Sequence, residues 1–336
     1  MTWFEVLTGF REESPSQIRE NIVVDGDRLT SLANGKTFVC GRLATPSLGE
    51  LRNRIGSSRH TGGRLSVREV VADASDLHAD ESNAGCLFQV ASQFNLLEMV
   101  GPHVTPEHGV GIYENDLTQG PTCAIAAGAG TIYRNYFAIV HGRAGQTATS
   151  QIDCLVDIGE ALGNSGQRLW KMRNGYALAS REGLIEISKR LASSSENELD
   201  HLRRLLRIGI QWSTQVTIRD CKHTVTQAYC SALPVSYSDQ PANLWEDFAR
   251  LELDAAYEAT ICAAILNSLS TGNNRVFLTL LGGGAFGNKT DWIMESIKRA
   301  LKLYEDWNLE IAIVSHGASK QCVQELIGQF PAKALP

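Results

Sequence analysis

Three acids within one short stretch, Glu107, Glu114 and Asp116, have the side-chain chemistry of a hydrolytic site. They lie in a turn-rich segment, Val104–Thr122, that also holds three glycines and two prolines. If the backbone is extended at Tyr113–Asp116, Glu114 and Asp116 stand at i and i+2 and project to the same side. Two carboxylates so placed can polarise a leaving group, activate a water and stabilise an oxocarbenium-like transition state. The plainer reading is a solvated acidic loop, because loops default to polar surface.

A second stretch has the chemistry of anion binding. Gly282, Gly283 and Gly284 are followed by Ala285, Phe286, Gly287 and Asn288, and glycines at this density let the backbone approach a ligand closely. The loop follows the apolar run Arg275–Leu281, which reads as a strand covered on both faces. It precedes a helix from Thr290, in which Trp292, Ile293, Ile297, Ala300 and Leu301 recur at helical spacing and Thr290 or Asp291 can cap the first turn. A further strand, Ile311–Val314, completes the unit. Free N–H groups and the positive end of the helix dipole then form a seat for a phosphate or diphosphate; the alternative is a simple strand-to-helix turn. A Walker loop is excluded because Asn288 puts Lys289-Thr290 one residue late. The spacing of Gly282, Gly284 and Gly287 satisfies the dinucleotide fingerprint, but it occurs near the C-terminus and the next strand ends in Ser315-His316, without the ribose-binding acid.

Two other groups stand where strands should end. Cys86–Ala91 reads as a buried strand, and Ser92, Gln93 and Asn95 follow it, where an open α/β sheet binds its ligand. An Asn there can donate to and accept from ribose hydroxyls, or it can cap a turn. After the strand-like Val67, Val70 and Val71 come Asp73, Asp76 and Asp80; one such carboxylate can accept the amine of an adenine, although solvated charges are the default.

These residues must be held by a sizeable fold. The chain has 336 residues, 43% of them hydrophobic, enough for one large domain or two modest ones. Its net charge of −6 provides no basic stripe for nucleic acid. The eight cysteines form no C-x-x-C pair and suggest a reducing compartment, the eight histidines are scattered, and no zinc spacing or other metal site is apparent. The opening residues lack the pattern of a signal peptide, and no apolar stretch of about eighteen residues could span a membrane, so a soluble, cytoplasmic protein is expected. Residues 1–65 read as an N-terminal extension, with the glycine-rich segment 56–63 as boundary, and 66–336 as the main domain. Within the latter, 131–215 reads as a mainly helical elaboration, from the periodicity of Ile152–Leu162 and Leu184–Ile208. Val225–Pro234 reads as a buried strand and Phe248–Leu269 as a tightly packed helix.

Three segments in combination, Phe88–Asn95, Tyr113–Pro121 and Gly282–Asn288, resemble the macrodomain superfamily, specifically its divergent, MavL-like arginine-specific ADP-ribosyl hydrolases. The resemblance covers roughly residues 66–330. It implies an α/β fold, a macrodomain-like mixed sheet flanked by helices, here with the N-terminal extension and the helical insertion. It implies ADP-ribose as ligand and product, with no cofactor required. Asn95 would meet the distal ribose, Gly282–Asn288 would wrap the diphosphate, Gln93, Gln119 and Gly120 would lie against the ligand, and Asp76 or Asp80 would take the adenine. The acids Glu107, Glu114 and Asp116 would be the analogue of a catalytic loop that poly(ADP-ribose) glycohydrolases fill with Gln-Glu-Glu, a pattern from which Tyr113-Glu-Asn-Asp116 departs. The expected reaction is removal of ADP-ribose from arginine side chains of a modified protein, with ubiquitin among the candidates and neither nucleic acid nor membrane as partner. A reader module that binds ADP-ribose without cleaving it is the alternative; a nicotinamide-dependent oxidoreductase is disfavoured by the late position of the glycine loop.

Overall fold

The apolar runs assemble into a seven-stranded mixed sheet, seen in a computed structural model that describes residues 1–58 and 62–330. In chain order its strands are β1 (Arg42–Ala44), β2 (Ser66–Val71), β3 (Leu87–Ala91), β4 (Gly209–Gln215), β5 (Thr224–Cys230), β6 (Arg275–Leu278) and β7 (Glu310–Ser315). Their spatial order is β1-β4-β5-β3-β6-β7-β2. The five strands from β5 to β2 run parallel, and β4 and β1 complete one edge antiparallel. Leu87, Val90, Val276, Leu278, Ile311 and Ile313 are all buried, as expected of parallel strands covered on both faces.

The helix Ala242–Thr271 anchors one face of this sheet. Ala255, Ala256, Ala259, Ala263 and Ala264 along it are buried, and side chains this small let it pack closely against the amphipathic helix Thr290–Leu303. Gln89 of β3 donates through Nε2 to Thr260 Oγ1 at 3.0 Å, tying sheet to helix. The helix Thr290–Leu303 begins without the side-chain cap expected from Thr290 or Asp291: Lys289 is its N-cap, and Asp291 pairs with Arg250 at 3.1 Å.

Two regions differ from their sequence reading. Residues 1–65 contribute β1 to the main sheet as well as a three-stranded sheet of their own, Ile22–Asp25, Arg28–Ser31 and Thr37–Val39, so the sheet crosses the boundary expected near residue 65. Residues 59–61, within that boundary, and 331–336 lie outside the described residues. The region 131–215 has the helices Val156–Leu162, Arg181–Ser193 and Glu196–Leu205, but also the hairpin Trp170–Arg173/Tyr176–Ala179 and β4. The helical pattern expected over 184–208 is interrupted where Ser195 forms a capping box with Glu198 and starts a second helix. Among the described residues no helix is long and apolar enough to cross a membrane.

Candidate functional site

Because the five parallel strands point the same way, the loops after β3, β5 and β6 gather at one end of the sheet. There they border a cleft lined by Gln93, Glu98, Asp116, Gly120, Gly284 and Phe286, at the position where open α/β sheets bind ligands.

The glycine loop forms one wall. Gly282 has φ +73°, and an added Cβ would stand 2.4 Å from Ala232 Cβ, so both backbone angle and space demand glycine. The loop is closed on itself: Asn288 N–H donates to Gly282 O at 2.9 Å, Gly287 N–H to Gly284 O at 3.0 Å, and the Asn288 side-chain amide to Leu233 O at 2.8 Å. The N–H groups of Gly284, Ala285 and Phe286, all lining the cleft, have no acceptor among the described residues. Such amides are a ready seat for an anion. Phe286 also joins Tyr176 and Tyr237, with ring centroids 5.0–5.5 Å apart, in an aromatic wall.

The other side is acidic. Glu98 and Asp116 are the charged residues of the lining. Glu98 is 4% exposed, and its Oε1 is buried without a hydrogen-bond partner among the described residues. Burial pushes its carboxyl well above the ordinary carboxylate range; the nearby Arg134 guanidinium opposes this and Asp116 adds to it. Arg134, itself buried, lies over the Tyr229 ring at 3.7 Å. Asp116 is half-buried, and its Oδ1 accepts from Thr118 N–H at 2.9 Å. Gly120 lets the start of the helix Gln119–Ala126 lie against β3 and Glu98, since a Cβ there would fall 2.1 Å from Ala91 O and 2.3 Å from Glu98 Oε2. The arrangement brings a buried acid, its carboxyl held above the ordinary range, and a second acid to one side of a cleft whose other wall offers free amides.

Of the predicted acids, only Asp116 reaches the cleft. The stretch Gly111–Asn115 is a 3-10 turn, not extended backbone, so Glu114 and Asp116 do not share a side. Glu114 is exposed and accepts from Trp3 N–H at 3.0 Å, and Glu107 is exposed and accepts from Ala148 N–H at 2.8 Å. Gln93, Gln119, Gly120, Gly282, Gly284, Ala285 and Phe286 line the cleft, whereas Gly283, Gly287 and Asn288 shape the loop from behind. The amide of Gln119 is engaged with β3, its Oε1 accepting from Ala91 N–H at 2.9 Å and its Nε2 donating to Gln89 O at 2.8 Å. Asn95 is fully buried away from the cleft: its Nδ2 donates to Gln151 Oε1 at 2.8 Å and its Oδ1 accepts from Leu97 N–H at 3.1 Å. Asp76 pairs with Arg219 at 2.5 Å on the surface, and Asp80 caps the turn Glu81–Asn83; neither lines the cleft.

The helix that turns its amino end to the cleft is Gln119–Ala126, through Thr118, Gln119, Gly120 and Pro121, and not Thr290–Leu303. Glu98, Tyr176 and Tyr237 escaped the sequence reading. For Glu98 a signal existed: it is a lone acid inside the apolar run Phe94–Val100, where burial of a carboxyl is unfavourable without a use for it. Among the described residues no group of three or more His, Cys, Asp or Glu could hold a metal ion.

Fold and cleft together place a candidate site at the carboxyl end of an open α/β sheet. No family model matches the chain, and no curated protein sequence matches it. Among solved structures, the chain is similar to the poly(ADP-ribose) glycohydrolase of Deinococcus radiodurans in complex with ADP-ribose, at TM-score 0.46 and 10% identity, over 95% of this chain and 99% of that one. It is also similar to the Thermomonospora curvata poly(ADP-ribose) glycohydrolase bound to the inhibitor ADP-HPD, at TM-score 0.44 and 11% identity, over 94% and 97%.

Proposed function

We propose that the chain is a hydrolase that removes ADP-ribose from ADP-ribosylated arginine side chains of proteins. The observation that carries this reading is the division of the cleft: free amides on one wall for a diphosphate, and two acids, the buried Glu98 and the half-buried Asp116, on the other. A guanidinium is attracted to the Asp116 carboxylate on that side, whereas the carboxylate released from an acidic acceptor would meet like charge there. In this reading Asp116 takes a proton from the water that attacks the anomeric carbon, and the C–N bond breaks as Glu98 gives its proton to the departing nitrogen. Glu98 fits the second role because its burial keeps it protonated above the usual range. Arginine then leaves as its protonated, stable form.

The test is incubation with ADP-ribosylated peptides that differ only in the acceptor residue, with free ADP-ribose measured. Release from the arginine peptide alone is expected. Release from serine or glutamate but not arginine would overturn the specificity, and binding of ADP-ribose without release from any acceptor would leave a reader.

A further inference from the structure

We infer that Glu12, in the segment that precedes the main sheet, is the positioning residue that sets the two cleft carboxylates; this rests on the hydrolase reading. The half-buried Glu12 carboxylate accepts from Val110 N–H at 2.9 Å, Gly111 N–H at 2.6 Å and the Tyr136 hydroxyl at 2.6 Å. Hydrogen bonds to a carboxylate are among the stronger ones available to a loop. The loop is also shaped to admit this group. A Cβ on Gly109, where φ is +85°, would lie 2.6 Å from the Glu12 carboxyl carbon, and one on Gly111 would lie 2.7 Å from Oε2. Both glycines flanking Val110 are therefore accounted for by a side chain about a hundred residues earlier in the sequence.

The turn that begins at this anchor leads to both acids through Tyr113. That residue is 1% exposed; its hydroxyl accepts from Glu98 N–H at 3.0 Å, and its carbonyl accepts from Asp116 N–H at 3.1 Å. Trp3 holds the same turn from outside, its indole N–H donating to Val110 O at 3.1 Å and its backbone N–H to Glu114. Val110 and Tyr113 share a hydrophobic cluster with Phe4, Leu7, Ile18 and Ile22 of the N-terminal region. Neither Glu12 nor Trp3 lines the cleft, and the glycine loop and the aromatic wall make no hydrogen bond to either. Loss of the anchor should therefore displace the acids and leave the nucleotide seat in place.

The experiment compares Glu12→Gln and Glu12→Ala with Glu5→Gln, a change at an acid of the same region that accepts from Thr2 N–H, keeps an acceptor for the helix cap and makes no hydrogen bond to the loop. On an ADP-ribosylarginine peptide, kcat should fall about tenfold for Gln, which keeps one acceptor oxygen, and about a hundredfold for Ala, the scale of a small misplacement of catalytic groups. The Kd for ADP-ribose should stay within about twofold, and Glu5→Gln should keep its kcat. Full kcat in both Glu12 variants, or kcat and ADP-ribose affinity lost in step, would overturn the assignment. Hydrogen exchange decides the matter even if the wild type releases nothing from any peptide and the hydrolase reading fails. Amides from Gly111 to Asp116 should lose protection in Glu12→Gln while the Gly282–Asn288 loop keeps its own, and equal protection in variant and wild type would sink the proposal.

Discussion

Glu98 and Asp116 occupy different environments, and on the proposed hydrolase reading the difference separates their parts. Glu98 is buried and its carboxyl is held well above the ordinary range, which suits a proton donor; Asp116 is half-buried and meets solvent. Replacing Glu98 by Gln or Asp116 by Asn should lower turnover about a hundredfold while ADP-ribose affinity changes only a few-fold, because each acts more in the transition state than in binding. Activity that depends on protonated Glu98 is present below its raised pKa and lost as pH rises through it. A kcat–pH profile should therefore show an alkaline limb in the wild type that is absent from the residual activity of Glu98→Gln; the same limb in both would remove Glu98 from the chemistry. Glu114→Ala serves as the control. Its side chain faces Trp3 and not the cleft, so its loss should leave the nucleotide affinity intact.

On the proposed reading the glycine loop is the element on which binding turns, and its glycines do unlike jobs. Gly287 has φ +70°, a conformation that an L side chain rarely adopts, and a Cβ would stand 1.9 Å from Ser236 Oγ and 3.0 Å from its Cβ, so Gly287→Ala is strained and should lower both Tm and ADP-ribose affinity. Gly284 has nothing within 4 Å of a built Cβ, so Gly284→Val should fold normally and still bind about tenfold or more weakly, a loss of roughly 1.4 kcal/mol or more. Calorimetry that finds unchanged affinity in a folded Gly284→Val would place the nucleotide elsewhere. This element was legible in the sequence because its signals are local: an apolar strand, dense glycines and then a helical period. The acidic loop was legible only in composition. Its geometry follows from Glu12 and Trp3, partners far away in sequence, and a 3-10 turn carries no pattern that separates it from extended backbone over five residues. Asn95 misled for a related reason, since the amides that occupy it, Gln151 and the backbone of Leu97, are set by the folding of the segment after β3.

At the scale of the whole molecule, the parallel sheet was readable from its apolar runs, but the first 65 residues were not readable as part of it. Strand β1 has only three residues, Arg42–Ala44, and a pairing that short has no periodicity of its own. The helix Ala242–Thr271, packed at the centre, shows what the molecule does with buried charge. It carries two glutamates of nearly equal burial, Glu252 at 0% and Glu258 at 1% exposure. Burial would raise the pKa of both. In Glu258 the hydrogen bonds and charges of Arg52, at 2.6 Å, and Arg299, at 2.8 Å, outweigh burial and leave the carboxyl lowered. In Glu252 neither oxygen has a partner among the described residues, and burial, with Asp254 adding, raises it well above its ordinary value of 4.5. The two therefore have opposite linkage to folding. For Glu252 both folded and unfolded states are protonated below the unfolded value. As pH rises above that value the unfolded chain releases its proton first, and stability falls until the raised folded value is passed. For Glu258 the stabilisation is present above the unfolded value and is lost as pH falls through the lowered folded value. Glu252→Gln should consequently gain stability relative to the wild type as pH rises from 4.5 to 7.5, because Gln has no proton for the unfolded chain to release. Glu258→Gln should be less stable by about 3–5 kcal/mol at pH 7.5, the scale of breaking a buried pair. Urea midpoints at the two pH values check both. A difference between Glu252→Gln and the wild type that is the same at both pH values would mean that Glu252 has found a partner and is not held neutral by burial.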